Sequence, residues 1–202
     1  LTKMKAELES WKRDRDKLLP TLSEKAKAKL QGEVAGFEDE ISNFENGINV
    51  IRNYPIVKKS FIQMNRTFAA TSKKYSTWRL FQIVFIVSMI PDIVACDRDV
   101  MPEDEKLKTH LQSMALLYFP TGGGKTEAFL GVLVFNLFFD RHRGKACGVT
   151  SILRYPLRLL SVQQVQRLAN ILAQAELIRR EDATIAYTEC FSLGYFVGDN
   201  NT

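Results

Sequence analysis

Cysteine is scarce in this sequence of 202 residues, and the patterns of a secreted or membrane-spanning chain are missing. Cys96, Cys147 and Cys190 are odd in number, scattered and without a Cys-x-x-Cys pair, which argues against a disulfide framework and favours a reducing, cytoplasmic environment. The first residues lack the basic, apolar and small-residue pattern of a signal peptide. A glutamine, a proline and an aspartate interrupt the longest apolar run, at 80–96, so we predict a buried helix and no membrane span there.

The composition is not extreme in charge or in apolar content. Hydrophobic residues make up 46% of the chain, enough for a sizeable core, and this excludes a chain that is disordered throughout. The net charge of +5 permits a polyanionic partner without requiring one.

Residues 1–75 form the first of two unlike parts, and we predict that they are a helical N-terminal region. A first amphipathic helix ends near Pro20, a second opens at Ser23 as its N-cap, and a third follows Pro55. The basic residues of this part are interpreted as solvated surface rather than as a nucleic-acid track. Apolar residues at helical spacing form a packing stripe in the second helix: Val34, Phe37, Ile41, Phe44 and Ile48.

Residues 76–202 alternate between short apolar runs and longer helical patterns. We predict strands at 113–120, 145–155 and 188–198, and helices at 126–139 and 162–180. Because this order is typical of parallel α/β sheets, the predicted fold class of this part is α/β. Ligands of such sheets bind at the carboxyl ends of the strands, which is where the glycines of 122–124 would lie.

The segment YFPTGGGKTE, residues 118–127, has the composition of a phosphate-binding loop that opens a helix. Glycines let successive N–H groups point at one anion, and the helix N-terminus adds partial positive charge. Lys125 would reach the β- and γ-phosphates of ATP, and the Thr126 hydroxyl would bind Mg²⁺. Phe119 stands where the strict pattern has glycine, and the alternative is a glycine-rich turn with a surface lysine. The candidate residues are Thr121, Gly122, Gly123, Gly124, Lys125, Thr126 and Glu127, with Lys125 and Thr126 as the catalytic pair.

The segment RYPLRLLSVQQ, residues 154–164, resembles motif Ia of superfamily 2 helicases, which reads P-T-R-E-L-A-x-Q. Pro156, Arg158, Leu160 and Gln163 match, whereas Leu157, Leu159 and Ser161 depart from the pattern. Arginines beside a helix start can form bidentate hydrogen bonds with phosphate oxygens, and glutamine side chains can donate hydrogen bonds to sugar or phosphate oxygens. The nucleic-acid candidates are therefore Arg154, Arg158, Gln163 and Gln164. The alternative is that Arg158 pairs with a carboxylate such as Glu127.

The segment YSTWRLFQIVF, residues 75–85, looks like the adenine contact of helicases that is built around a glutamine. Gln82 would bond the adenine edge, with Arg79 in the same nucleotide site and Trp78 or Phe81 near enough to stack. The alternative is a buried helix in which Gln82 satisfies a neighbour. A polar insert at 96–110, predicted as a surface loop, would explain the long separation from Lys125.

Together, WRLFQIVFIV, FPTGGGKTEAFLG, GVTSILRYPLRLLSVQQVQR and SLGYFVG resemble the helicase of DISARM-type bacterial anti-phage defence systems. The upstream VKKSFIQMNRTF is similar to that family's AFxxMN segment. Leu80, Phe129 and Pro156 depart from the family pattern without removing a charge or a glycine from the loop. The resemblance implies a partial RecA-like sheet over 76–202, ATP and Mg²⁺ as cofactors, movement on DNA, and a second defence subunit as partner.

No acidic DExx box follows the glycine loop, and Glu181 and Asp182 lack a preceding strand. A superfamily 2 motor also needs a second lobe with an arginine finger. We therefore expect a fragment that holds nucleotide phosphate weakly and does not hydrolyse ATP alone. Two alternatives stay open: a non-motor phosphate-loop enzyme such as a kinase, and a subunit-interaction module with a vestigial nucleotide site.

Overall fold

The computed structural model describes residues 1–71, 77–97, 99–101, 114–118, 122–145, 147–154 and 158–196, with the side chains of 158–161 outside the description. The described helices are α1 (Thr2–Leu18), α2 (Glu24–Asn53), α3 (Pro55–Thr71), α4 (Leu80–Ala95), α5 (Lys125–His142) and α6 (Arg158–Glu181), and a 3-10 turn, Leu19–Thr21, follows α1. The helices predicted from the sequence are confirmed. None of the helices in the described part is long and apolar enough to cross a membrane.

The predicted α/β sheet is wrong for the described part of the chain, which contains no strand. Residues 114–118, 147–154 and 189–196, which lie within the three predicted strands, have irregular backbone. A strand needs a neighbouring chain to accept and donate ladder hydrogen bonds, and a buried face for its apolar residues. These segments instead expose theirs: the side chains of Leu116 and Phe196 are 88% and 96% exposed.

Helix α5 occupies the centre of the structure. Its sequence is apolar almost all round, as expected for a helix covered on most sides. Helices α3, α4 and α6 pack around it and contribute to one large core. Phe135, Phe138 and Val134 of α5 are completely shielded from solvent. The core includes residues from both sides of position 75, and the division into 1–75 and 76–202 stays a prediction.

The apolar stripe of α2 packs where its spacing predicts. Val34, Ile41 and Phe44 join Met4 and Leu8 of α1 in a second, smaller cluster. Helices α2 and α4 approach closely at Gly47, where an added Cβ would lie 2.1 Å from the carbonyl oxygen of Val87. Glycine is therefore required at this crossing.

A buried carboxylate fastens the C-terminal end of α5. Asp140 is 1% exposed and accepts hydrogen bonds from Arg143, Lys145 and, at 2.6 Å, the Thr150 hydroxyl. Arg143 also donates to Asp97, at 2.9 Å. Burial opposes ionisation of Asp140, but the Lys145, Thr150 and Arg143 hydrogen bonds outweigh it and lower its pKa. The segment that carries Thr150 is thus held beside the end of α5.

A second polar cluster joins α3 to the ends of α5 and α6. Asp182 accepts from Lys59 at 2.8 Å and from Gln63 at 2.7 Å. The other amide atom of Gln63, Oε1, lies 2.7 Å from Nε2 of the buried His142. Because an amide oxygen only accepts, Nε2 of His142 donates this hydrogen bond. Burial, with the Lys59 charge, lowers the pKa of His142. Asp182, predicted as a loop residue, is thereby a structural anchor.

Arg179 organises the turn after α6. Its guanidinium is 4% exposed and donates to the carbonyl oxygens of Ile185, Ala186 and Thr188, at 2.8, 2.9 and 2.8 Å. Two further bonds of 2.7 Å go to both oxygens of Glu176. The Arg179 hydrogen bonds, acting against burial, lower the pKa of Glu176 to about 2.

Gly47→Ala is expected to destabilise the fold. The new methyl would force α2 away from α4, and overpacking of this kind costs about 1–3 kcal/mol. Gly36→Ala is the matched control, because Gly36 lies in the same helix with nothing within 4 Å of an added Cβ. It should stabilise by roughly 0.5–1 kcal/mol through helix propensity. Denaturant unfolding measures both, and equal effects would contradict the close approach.

Glu176→Gln tests the Arg179 cluster through pH. Because the folded-state pKa of Glu176 is about 2 and its ordinary value is 4.5, its ionised form stabilises the fold above pH 4.5. That contribution is lost as the pH falls from 4.5 towards 2. The variant should therefore be less stable than wild type at pH 7, and the difference should shrink through this window. Glu33→Gln, on the exposed face of α2, is the control; a pH-independent difference for Glu176→Gln would contradict the assignment.

Candidate phosphate-loop site

The glycine loop runs directly into α5, as the sequence predicts. Gly124 is the N-cap of α5 with φ 93° and ψ 28°, and Gly122 has φ 79°. Both angles lie in the left-handed region, which side chains other than glycine rarely adopt. Lys125 and Thr126 are consequently the first two residues of the helix. Thr121 lies outside the described residues.

Arg79 and Gln82, at the start of α4, hold the loop by its carbonyl groups. Arg79 donates to the carbonyl oxygen of Gly123 at 2.6 Å, and Gln82 Nε2 donates to that of Gly124 at 2.8 Å. Gln82 Oε1 accepts the backbone N–H of Arg79 at 2.9 Å, and Gln82 is only 5% exposed. This arrangement agrees with the alternative in which Gln82 satisfies a neighbour. An adenine contact by Gln82 would require these bonds to be exchanged, and it stays a prediction.

The N–H groups of the loop are used differently from its carbonyls. Among hydrogen bonds between described residues, none is donated by the backbone N–H of Gly122, Gly123 or Gly124. The arginine and glutamine thus draw two loop carbonyls towards α4. Those three glycine N–H groups are the loop donors for which the described residues provide no acceptor. N–H groups of glycines at a helix start are the donors that anion sites use, and the anion site itself stays a prediction.

Trp78 fixes the entry to α4, and sequence reasoning did not identify its partner. Its indole N–H donates to Oδ1 of Asn65 at 2.8 Å, and its ring lies 4.7 Å from that of Phe68. An added Cβ at Gly131 would come within 3.3 Å of the Trp78 ring. The Met-Asn pair of α3 and the Trp-Arg-x-x-Gln segment therefore belong to one assembly that faces the first half of α5.

Arg167 is a second residue that sequence reasoning missed. It lies on α6 and forms an ion pair with Glu127, in the first turn of α5. The alternative interpretation of the 154–164 segment paired Arg158 with Glu127, and the observed partner, Arg167, lies more than two turns further along α6. Arg167 follows Gln163 by four residues, which places the two side chains on one face of α6. That spacing was the only signal in the sequence that could have identified Arg167.

The nucleic-acid candidates are not brought into contact with the loop by any described bond. Arg154 is exposed at the end of segment 147–154, and Gln163 is exposed on α6. Gln164 is partly buried, and its Oε1 has no hydrogen-bond partner in the described part. Arg158 begins α6, and its side chain is outside the description. Their role in binding a polynucleotide stays a prediction.

No described group of three or more histidine, cysteine or carboxylate side chains is arranged to hold a metal ion. The Mg²⁺ predicted at Thr126 would instead rely on one protein hydroxyl and on phosphate oxygens, which is a common way to bind this ion. Thr126 is partly buried at the second position of α5. The residues present are therefore of the right chemical type for a phosphate-bound Mg²⁺.

Gly124→Ala is expected to cost more stability than Gly122→Ala. Both substitutions force a side chain into the left-handed region, at about 1–2 kcal/mol. Only at Gly124 would the Cβ also lie 2.8 Å from Gln82 Nε2, whereas nothing lies within 4 Å at Gly122. A double-mutant cycle with Gln82→Ala checks the cause, because removal of the amide should reduce the Gly124→Ala penalty. Additive effects on the unfolding free energy would contradict the contact.

Comparison with known proteins identifies a relative of this chain. No protein-family profile matches the chain. The chain is 34% identical over 161 residues to the DISARM protein DrmA of Bacillus paralicheniformis. The match covers 75% of this chain and only 13% of DrmA, so the chain corresponds to a small part of that protein. The chain is therefore a homologue of the DISARM protein DrmA, and the match supports its place in the DISARM defence family.

Proposed function

We propose that this chain provides the nucleotide-phosphate site of an ATP-dependent helicase or translocase that acts on DNA in anti-phage defence. The observation that carries the proposal is the left-handed turn at Gly122 and Gly124, which delivers Lys125 and Thr126 to the start of α5. The similarity to DrmA supports the defence setting. The proposal depends on this loop and helix and needs no sheet.

The loop would bind phosphate through three groups of one short segment. The N-terminus of α5 supplies about half a positive charge, and the N–H groups of the glycine loop would donate to the same phosphates. Lys125 would neutralise the β- and γ-phosphates. Thr126 would hold Mg²⁺, which when bound supplies charge neutralisation at the phosphates. Arg79 and Gln82 act indirectly, because they hold the carbonyls of Gly123 and Gly124 and so set the shape of the loop.

The polynucleotide would contact the exposed Arg154 and the start of α6. Arg158, Gln163 and Gln164 are of the types that bind phosphate and sugar groups. A second subunit of the defence system is the proposed partner, and the cytoplasm is the proposed compartment. This chain would bind nucleotide without hydrolysing it, because an acidic residue that polarises water and an arginine finger are both needed for turnover.

Lys125→Ala is expected to weaken binding of ATPγS with Mg²⁺ at least tenfold. The substitution removes the side-chain charge closest in sequence to the loop and leaves the helix N-terminus in place. Titration calorimetry on wild type and variant measures the two dissociation constants. Lys58→Ala, which removes an exposed lysine from α3, is the matched control and should bind as wild type does.

Three outcomes would contradict the proposal. Absence of binding by the folded wild-type chain would favour the interaction module. Equal affinities for wild type and Lys125→Ala would show that the loop is not the site. Nucleotide hydrolysis by this chain that disappears with Lys125→Ala would show that the acidic box and second lobe are not needed.

A further inference from the structure

The ion pair between Glu127 and Arg167 joins the glycine loop to α6. Glu127 is the third residue of α5, and the pair bridges a sequence separation of 40 residues. The two side chains are 29% and 37% exposed, so the pair is accessible from solvent. Exposed pairs add little to stability, with a typical contribution of about 0–1 kcal/mol. We therefore do not expect the stability of the fold to depend strongly on this pair.

The carboxylate of Glu127 lies against the loop itself. Its Oε2 is 3.5 Å from the position that a Cβ on Gly124 would take, and Gln82 Nε2 is 2.8 Å from the same point. A carboxylate here would repel the phosphates of a nucleotide held at the start of α5. Arg167 cancels that charge while the ion pair is formed. The electrostatic potential of the loop thus depends on a residue of another helix.

Arg167 also lies beside one of the proposed polynucleotide contacts. It follows the exposed Gln163 by four residues, which places the two side chains next to each other on one face of α6. A backbone phosphate bound at Gln163 would compete with Glu127 for the guanidinium. Nucleotide and polynucleotide would then depend on one and the same arginine.

We propose that the Glu127–Arg167 ion pair couples the two sites, so that a bound DNA strand lowers the affinity of the loop for nucleotide. The inference rests on the proposed function. Departure of Arg167 towards a DNA phosphate leaves Glu127 unpaired beside the nucleotide phosphates. By linkage, bound nucleotide weakens DNA binding by the same factor. Glu127 and Arg167 are positioning and charge-balancing residues in this scheme, and neither carries out chemistry.

The test measures the dissociation constant of ATPγS with Mg²⁺, with and without a saturating single-stranded DNA oligonucleotide. For wild type we expect DNA to raise the constant about fivefold or more, the lower end of typical couplings. Glu127→Gln should remove the effect of DNA, with a ratio of the two constants near one, because no carboxylate remains to be exposed. Arg167→Met should bind weakly in both, because the carboxylate is never neutralised. The double variant should also give a ratio near one, and it should bind nucleotide more tightly than Arg167→Met does.

Tighter nucleotide binding by the double variant than by Arg167→Met distinguishes charge balance from a structural role. If both weaken binding, or if both keep the wild-type ratio, the inference is overturned. A wild-type ratio near one, with both ligands bound, overturns the inference alone. Failure of wild type to bind nucleotide, or indifference to Lys125→Ala, overturns the proposed function as well. Should Arg167→Met fail to fold in a thermal unfolding assay, Glu127→Gln and the double variant still decide the result.

Discussion

Burial of α5 is the constraint on which the rest of the structure depends. Phe135, Phe138 and Phe139 are almost completely shielded, and each buried side chain of this size contributes about 1.5–3 kcal/mol. A helix that is apolar on nearly every side has one stable environment, the centre of other helices. Helices α3, α4 and α6 provide it. Once α5 is fixed, both of its ends are fixed too, and several polar contacts that link different elements lie at those ends.

The N-terminal end of α5 meets the N-terminal end of α4, and Gln82 links them. Its side chain accepts the N–H of Arg79, which caps α4, and donates to the carbonyl of Gly124, which caps α5. One buried amide thereby satisfies backbone groups at the starts of two helices. At the other end, Asp140 and His142 attach α5 to the segments after it and to α3. The loop geometry is a consequence of these tethers on a buried helix.

Local patterns predicted what local interactions decide. The stripe of α2 and the apolar run of α4 indicated helices that the structure contains, and the glycines at 122 and 124 indicated the turn before α5. The sheet could not be read in this way, because an apolar segment such as 147–154 becomes a strand only if another chain segment pairs with it. Arg167 and Asn65 were missed for a related reason. Their partners, Glu127 and Trp78, lie on other helices, so helical packing brings them together.

The residues that resemble helicase motifs differ in how strongly they support nucleotide binding. Trp78, Arg79 and Gln82 form hydrogen bonds within the protein that give each of them a structural role without any ligand. They are therefore evidence for packing around α5 before they are evidence for a nucleotide site. The loop N–H groups differ, since no described residue accepts from those of Gly122, Gly123 or Gly124. The bonds from an arginine and a glutamine to two loop carbonyls fix the shape of the loop, and glycine N–H groups at a helix start are the donors that anion sites use. The case for nucleotide binding therefore depends on those amides more than on the motif that shapes them.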